Sequence, residues 1–173
     1  MSKETPKKTA WYSAQWGTPT YDDNRLFELL TVGTFQAGLS WKVVVGKRPV
    51  FLRNFANFDP KIVAGFMPDD LERIINDPEM IRNPRKIEAT INNAQAITKI
   101  QTEYGSFANF LWDFVGNRPL QFEYIEAGDV PNHSALSAKL AKELKKRGFK
   151  FVGPIITYMF MKASGLVQDI VLE

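Results

Sequence analysis

Leu144-Lys145-Lys146-Arg147-Gly148-Phe149-Lys150-Phe151-Val152-Gly153-Pro154-Ile155-Ile156 is the stretch on which the reading of this chain turns. It begins as the end of a basic helix, breaks at a glycine, passes through a tight turn of apolar and basic residues, and restarts at Gly-Pro. Gly148 can take the left-handed conformation that stops a helix, and Pro154 suits a first helical position, where its missing N–H costs nothing. Gly153 lets another backbone approach that helix start closely. N–H groups exposed there, with the positive end of the helix dipole, make a place for a phosphate. Lys139, Lys142, Lys145, Lys146, Arg147 and Lys150 fall within twelve positions, opposed only by Glu143. A solvated lysine-rich face, or an ordinary corner between two helices, accounts for the same pattern without a ligand.

Upstream, nearly every apolar stretch has helical spacing. Asp22 and Asp23 open a segment whose Leu26, Phe27, Leu29, Leu30 and Val32 form an apolar stripe. Ser40 caps the next, and Pro49 predicts a kink or a junction within it. Asp59-Pro60 and Asn83-Pro84 are caps followed by proline, and the second opens the longest helix, with Ile87, Ile91, Ala94, Ile97 and Ile100 inward up to Gly105. Pro68 to Asn76 and Phe107 to Val115 predict two short helices, the second capped by Ser106. Ser134 starts the basic helix, and Pro154 to Ser164 forms the last. Residues 117–133 lack periodicity and predict an extended loop, and no strand alternation is evident. The expectation is an all-α single domain, 1–173, a bundle of eight or nine short helices, with 1–9 a polar tail.

The 173 residues are 45% hydrophobic, enough for one buried core and too many for a disordered chain. No apolar run is long enough to span a bilayer, and the lysine-rich start lacks the apolar core of a secretory signal, so a cytoplasmic location is expected. With no cysteine, disulfides and thiolate metal sites are excluded. His133, the only histidine, stands in the loop without partner ligands. No metal and no cofactor are expected. The net charge of +3 points weakly to a polyanion.

Trp11, Tyr12, Trp16, Tyr21, Phe27, Phe35 and Trp41 crowd the N-terminal third. Core packing explains such a cluster, and for Phe27 it is the better account. Partly exposed Trp and Tyr can instead form a slot that stacks a flat ring.

The hairpin string resembles a helix-hairpin-helix, a sequence-independent grip on the DNA backbone, although Phe151 stands where the first glycine of the usual Gly-x-Gly pair would be. Gln36-Ala37-Gly38-Leu39-Ser40-Trp41, Phe58-Asp59-Pro60, Arg85-Lys86-Ile87-Glu88-Ala89 and Lys146 to Pro154 are together closely similar to the DNA-3-methyladenine glycosylase I family, in order and spacing. Trp16-Gly17 and Ala163-Ser164-Gly165-Leu166-Val167 extend the match from about Trp11 to Asp169. The resemblance implies a helix-hairpin-helix glycosylase-like bundle, acting as a monomer on double-stranded DNA with alkylated bases. It implies a base pocket at Trp11, Trp16, Gln36 and Trp41, and a DNA contact at Lys145, Arg147, Gly148, Lys150 and Gly153. The implied reaction is hydrolysis of the N-glycosidic bond of a flipped N3-alkylated adenine, leaving an abasic site.

The chain departs from that family where chemistry is expected. The family carries a glutamate seven residues before the serine of its LSW string, and Gly33 holds that place. Lys8 replaces a pocket tyrosine. The family's structural zinc is held by two Cys and two His, and the matching histidine positions are Tyr12 and Ile170. Two readings follow. One is a glycosylase that relies on pocket shape, stacking and another acceptor such as Gln36 or Asp169. The other is a catalytically silent or altered-specificity relative that keeps the DNA grip.

Overall fold

The computed structural model describes residues 16–172. Helix α1 (Asp23–Gln36) lies at the centre, with residues 26–35 all buried. Around it stand α2 (Trp41–Gly46), α3 (Arg48–Asn54), α4 (Pro60–Ala64), α5 (Pro68–Ile75), α6 (Pro84–Tyr104), α7 (Phe107–Phe114), α8 (Ala135–Lys146) and α9 (Pro154–Ala163). The caps expected from sequence are in place. Asp22, Ser40, Asp59, Asn83, Ser106 and Ser134 each accept a hydrogen bond from an N–H in the first turn they precede. Pro49 lies just inside α3, marking a junction between two helices. Asp23 also acts at a distance, accepting from the N–H groups of Phe107 and Ala108 at the start of α7 (3.0 and 2.9 Å). That carboxylate meets the positive end of the α7 dipole and fixes it to α1.

The core is aromatic. Phe27 packs edge-on against Phe58, and Phe35, Phe51 and Phe55 form a tilted cluster, all five fully buried. Phe107 stacks on Phe149 and Phe160, tying α7 to the hairpin and to α9. Phe27 and Phe35 are therefore packing residues. Tyr21 is exposed, with its ring stacked on Trp112 (4.7 Å).

The segment expected to be an extended loop without strands is partly ordered as a strand. Leu120–Tyr124 forms β1, which pairs in parallel with β2, Val167–Val171, in the register Leu120 with Val167 to Tyr124 with Val171. The alternation is too weak to read because β1 is an exposed edge, with Gln121, Phe122 and Glu123 all facing solvent. Its partner lies beyond two helices, out of reach of a local pattern. The carboxylate of Asp169 on β2 accepts from the Tyr158 hydroxyl at 3.1 Å on each oxygen and pairs with Lys162 at 3.4 Å. These contacts clasp β2 to α9. Burial, then the Asp169 bond, push the Tyr158 phenol well above its usual range. At the turn into β2, Gly165 (φ +78) is obligatory: a Cβ there would stand 2.5 Å from the Pro19 nitrogen.

Candidate functional site

The C-terminus of α1 and the Gln36–Trp41 turn form one wall of a cavity of about 390 Å³, lined by Trp16, Gln36, Trp41 and Met159. Ser40 caps α2 and so sets the direction in which Trp41, its first residue, leaves the backbone. The Trp16 and Trp41 rings meet edge to face, with centroids 4.6 Å apart and planes at 78°. Perpendicular rings present one face and one edge, so a flat ligand can stack on one while its edge meets the other. Gln36 supplies polarity. Its Oε1 is buried with no hydrogen-bond partner among the described residues, a state that usually signals a ligand or water to be bound. Among the described residues that line this cavity there is no carboxylate.

Three of the four pocket residues expected from sequence, Trp16, Gln36 and Trp41, thus meet in one cavity. Trp11, with Tyr12 and Lys8, lies outside the described residues. Gly33 is buried one turn before Gln36, and a Cβ there would face Ile156. Asp169, the alternative acceptor, is committed to Tyr158 and Lys162 and does not line the cavity. His133 is exposed beside Asn132, and no group of three or more His, Cys, Asp or Glu that could hold a metal occurs among the described residues. The residues present do not fit the zinc site that the family resemblance implies.

Sequence reasoning missed Lys86. It is 7% exposed, and its ammonium donates to the carbonyls of Phe35 (3.3 Å) and Ala37 (2.6 Å), which flank Gln36. It caps the negative end of the α1 dipole, and no carboxylate pairs with it among the described residues. Burial draws its pKa below the ordinary lysine value. A lysine at an inward helical position, one residue before Ile87, was the signal that could have found it. Met159 was missed as well, as an apolar residue in a helix that otherwise builds core.

The hairpin occupies residues 147–153. Gly148 has φ +91, and Phe151 has φ +57, a left-handed conformation that an aromatic residue adopts at a cost on the order of 1 kcal/mol. Phe151 therefore takes a glycine-like backbone geometry, held by its surroundings. Asn93 of α6 is one such support: its Oδ1 accepts from the Lys150 N–H (2.8 Å) and its Nδ2 donates to the Lys150 carbonyl (3.0 Å). Asn92 donates to the Gly148 carbonyl (2.7 Å). Gly153 is the N-cap of α9, and a Cβ there would meet nothing within 4 Å, so no backbone crowds this helix start.

Lys145, Lys146 and Lys150 are exposed, whereas Arg147 is engaged within the protein. It pairs with Glu103 (2.9 Å) and Glu143 (3.1 Å) and lies over the Tyr104 and Phe110 rings. The bond to Glu103 leads in raising its pKa.

The family model described as methyladenine glycosylase matches residues 1–173. A DNA-3-methyladenine glycosylase 1 from Escherichia coli (strain K12) is 40% identical over 166 residues, 96% of this chain and 89% of that one. A DNA-3-methyladenine glycosylase from Haemophilus influenzae is 36% identical over 92% of this chain and 86% of its own length. Among solved structures, 3-methyladenine DNA glycosylase I from Staphylococcus aureus superposes with a TM-score of 0.89 at 34% identity, covering 95% of this chain and 88% of that one. A crystal structure of a 3-methyladenine DNA glycosylase I variant in complex with 3-methyladenine gives 0.90 at 34% identity, covering 95% and 89%.

Proposed function

The chain belongs to the methyladenine glycosylase family, and from that we propose that it excises an N3-alkylated adenine from duplex DNA, with the flipped base held in the cavity of Trp16, Gln36, Trp41 and Met159. The observation that carries this reading is the buried Oε1 of Gln36, without a hydrogen-bond partner among the described residues, in a cavity walled by two tryptophans. The exocyclic amine of an adenine supplies the donor that this acceptor lacks, and the purine ring supplies the flat surface for stacking.

The helix start at Gly153 and the exposed Lys145 and Lys150 hold the phosphate backbone, which positions the protein without reading sequence. Arg147 contributes by bracing the end of α8. In the reaction, the C1′–N9 bond breaks and its electron pair passes to the purine, neutralising the charge that alkylation had placed there. Water adds to C1′, its proton leaves to solvent, and an abasic site remains. The lesion is itself a good leaving group, so positioning and stacking carry the reaction while Gly33 brings no carboxylate. We place the protein in the cytoplasm, acting as a monomer.

A single-turnover assay on methylated duplex, with the released base identified, tests this. Release of 3-methyladenine above the uncatalysed rate is the expected result. One observation favours a second reading, a relative that binds the lesion without cleaving it: the position facing Ile156 is a glycine. Tight duplex binding with no base release would select that reading.

A further inference from the structure

Lys86 and Asn93 are seven residues apart on α6, and both point inward, at 7% and 3% exposure. A seven-residue step returns to the same helix face about 10 Å further along the axis. At one end of that step the Lys86 ammonium holds the carbonyls of Phe35 and Ala37, on either side of Gln36. At the other end the Asn93 amide holds both the N–H and the carbonyl of Lys150 in the hairpin. Neither residue lines the cavity.

We propose that Lys86 and Asn93 are positioning residues: from one face of α6 they hold the base pocket and the DNA-gripping turn at a fixed separation. A flipped nucleotide must have its phosphates gripped and its base stacked at once, so the distance between grip and pocket decides whether both contacts can form. An ammonium buried with no carboxylate partner among the described residues is a costly way to fill space, and so is a buried amide where an apolar side chain would serve. Each holds main-chain groups of its turn, and the Asn93 Oδ1 also accepts from the Nδ2 of neighbouring Asn92 (3.3 Å). Their hydrogen bonds to the two turns are to backbone, so they fix geometry whatever side chains the turns carry.

The inference rests on the function proposed above, and three variants with three readouts separate the two. In the unaltered protein, binding of free 3-methyladenine by tryptophan fluorescence and of undamaged duplex by anisotropy establishes pocket and grip. If neither is bound, the proposed function fails and this inference with it. Given both, Lys86→Met is expected to weaken free-base binding by about tenfold or more, the range for losing hydrogen bonds from a charged group, while duplex affinity stays within about twofold. Asn93→Leu is expected to do the reverse. Lys86→Arg, which keeps charge and donors, should recover part of the base binding that the methionine variant loses. Fluorine-labelled tryptophan should report a shifted Trp41 resonance in Lys86→Met and not in Asn93→Leu. If both variants weaken both activities alike, or neither changes, the residues have no separate positioning roles and the proposal is overturned. Where the apolar variants do not fold, Lys86→Gln and Asn93→Asp are read instead. Folded conservative variants with unchanged binding overturn it equally.

Discussion

Gly33 and Ile156 face each other where α1 meets α9: a Cβ at position 33 would lie 3.8 Å from Ile156 Cγ2, with nothing else beyond its own helix within 4 Å. Each stands one turn before a cavity residue, Gln36 on α1 and Met159 on α9. The place where the family resemblance implies a carboxylate therefore accepts a Cβ in ordinary van der Waals contact and without backbone strain. Gly33→Glu should fold and should raise single-turnover excision of 3-methyladenine by roughly a hundredfold, the scale of one well-placed charge in a reaction that develops positive charge on the sugar. Rates on the same methylated duplex check this, with thermal stability measured alongside. A folded glutamate variant no faster than its parent would show that Gly33 is not what limits the chemistry.

Neutralising Lys145 and Lys150 to alanine should weaken binding equally for unrelated duplex sequences. It should also flatten the slope of log affinity against log salt by about one unit for each phosphate no longer neutralised. Unchanged affinity at every salt concentration would mean that the basic turn is only a solvated surface. Arg147→Ala should behave differently. It removes two ion pairs and the cover over Tyr104 and Phe110, and should lower stability by about 1–2 kcal/mol in denaturant titrations.

Trp41 is half-buried, lines the cavity and packs against the edge of the core. Trp41→Ala should abolish binding of free 3-methyladenine while costing less than the ~3–5 kcal/mol typical of emptying a buried tryptophan site. Urea unfolding and fluorescence titration of the same preparation separate the two effects.

An acid limb in stability is expected from Asp77. Hydrogen bonds from Arg53 first, then from Asn54 and the Glu79 N–H, lower its pKa to about 2. Because the folded value lies below the unfolded one, its contribution is complete above the unfolded value of about 4 and is lost as pH falls towards about 2. Asp77→Asn should lower stability at neutral pH and flatten this part of the profile. A profile identical to the parent's between those values would count against the assignment.

Chelator should leave the melting temperature unchanged, because the chain has no cysteine and Ile170 stands at a position where the family has a zinc-ligating histidine. Stoichiometric zinc in purified protein, removed together with helicity on chelation, would contradict this. Asp169→Ala should instead loosen β2, which hydrogen-deuterium exchange of residues 167–171 would reveal.

Local grammar made the helices legible. Asp22, Ser40, Asn83 and Ser106 each cap the helix that their spacing announces, because a cap needs only the three residues after it. The lining of the cavity was legible for a different reason: Gln36 to Trp41 is a short contiguous string, and Trp16 is brought to it by the fold. What escaped reading depends on groups far apart in the chain. Lys86 and Asn93 act on carbonyls and amides about fifty residues away, and nothing in their neighbours identifies those targets. The strand pair escaped in the same way, and the commitment of Arg147 to Glu103 is a contact across 44 positions.

The parallel pairing of Leu120–Tyr124 with Val167–Val171 closes a loop that contains α8, the hairpin and α9. Parallel strands cannot be joined by a tight turn, and closing a long loop is entropically slow. During synthesis β1 emerges from the ribosome well before its partner and stays unpaired until β2 has followed. Maturation of the half that holds α8, the hairpin and α9 is thus a late event in the life of the nascent chain. In that interval both backbone edges of residues 120–124 lack a strand partner, and the polypeptide is more exposed to misassociation with its neighbours than after β2 has paired.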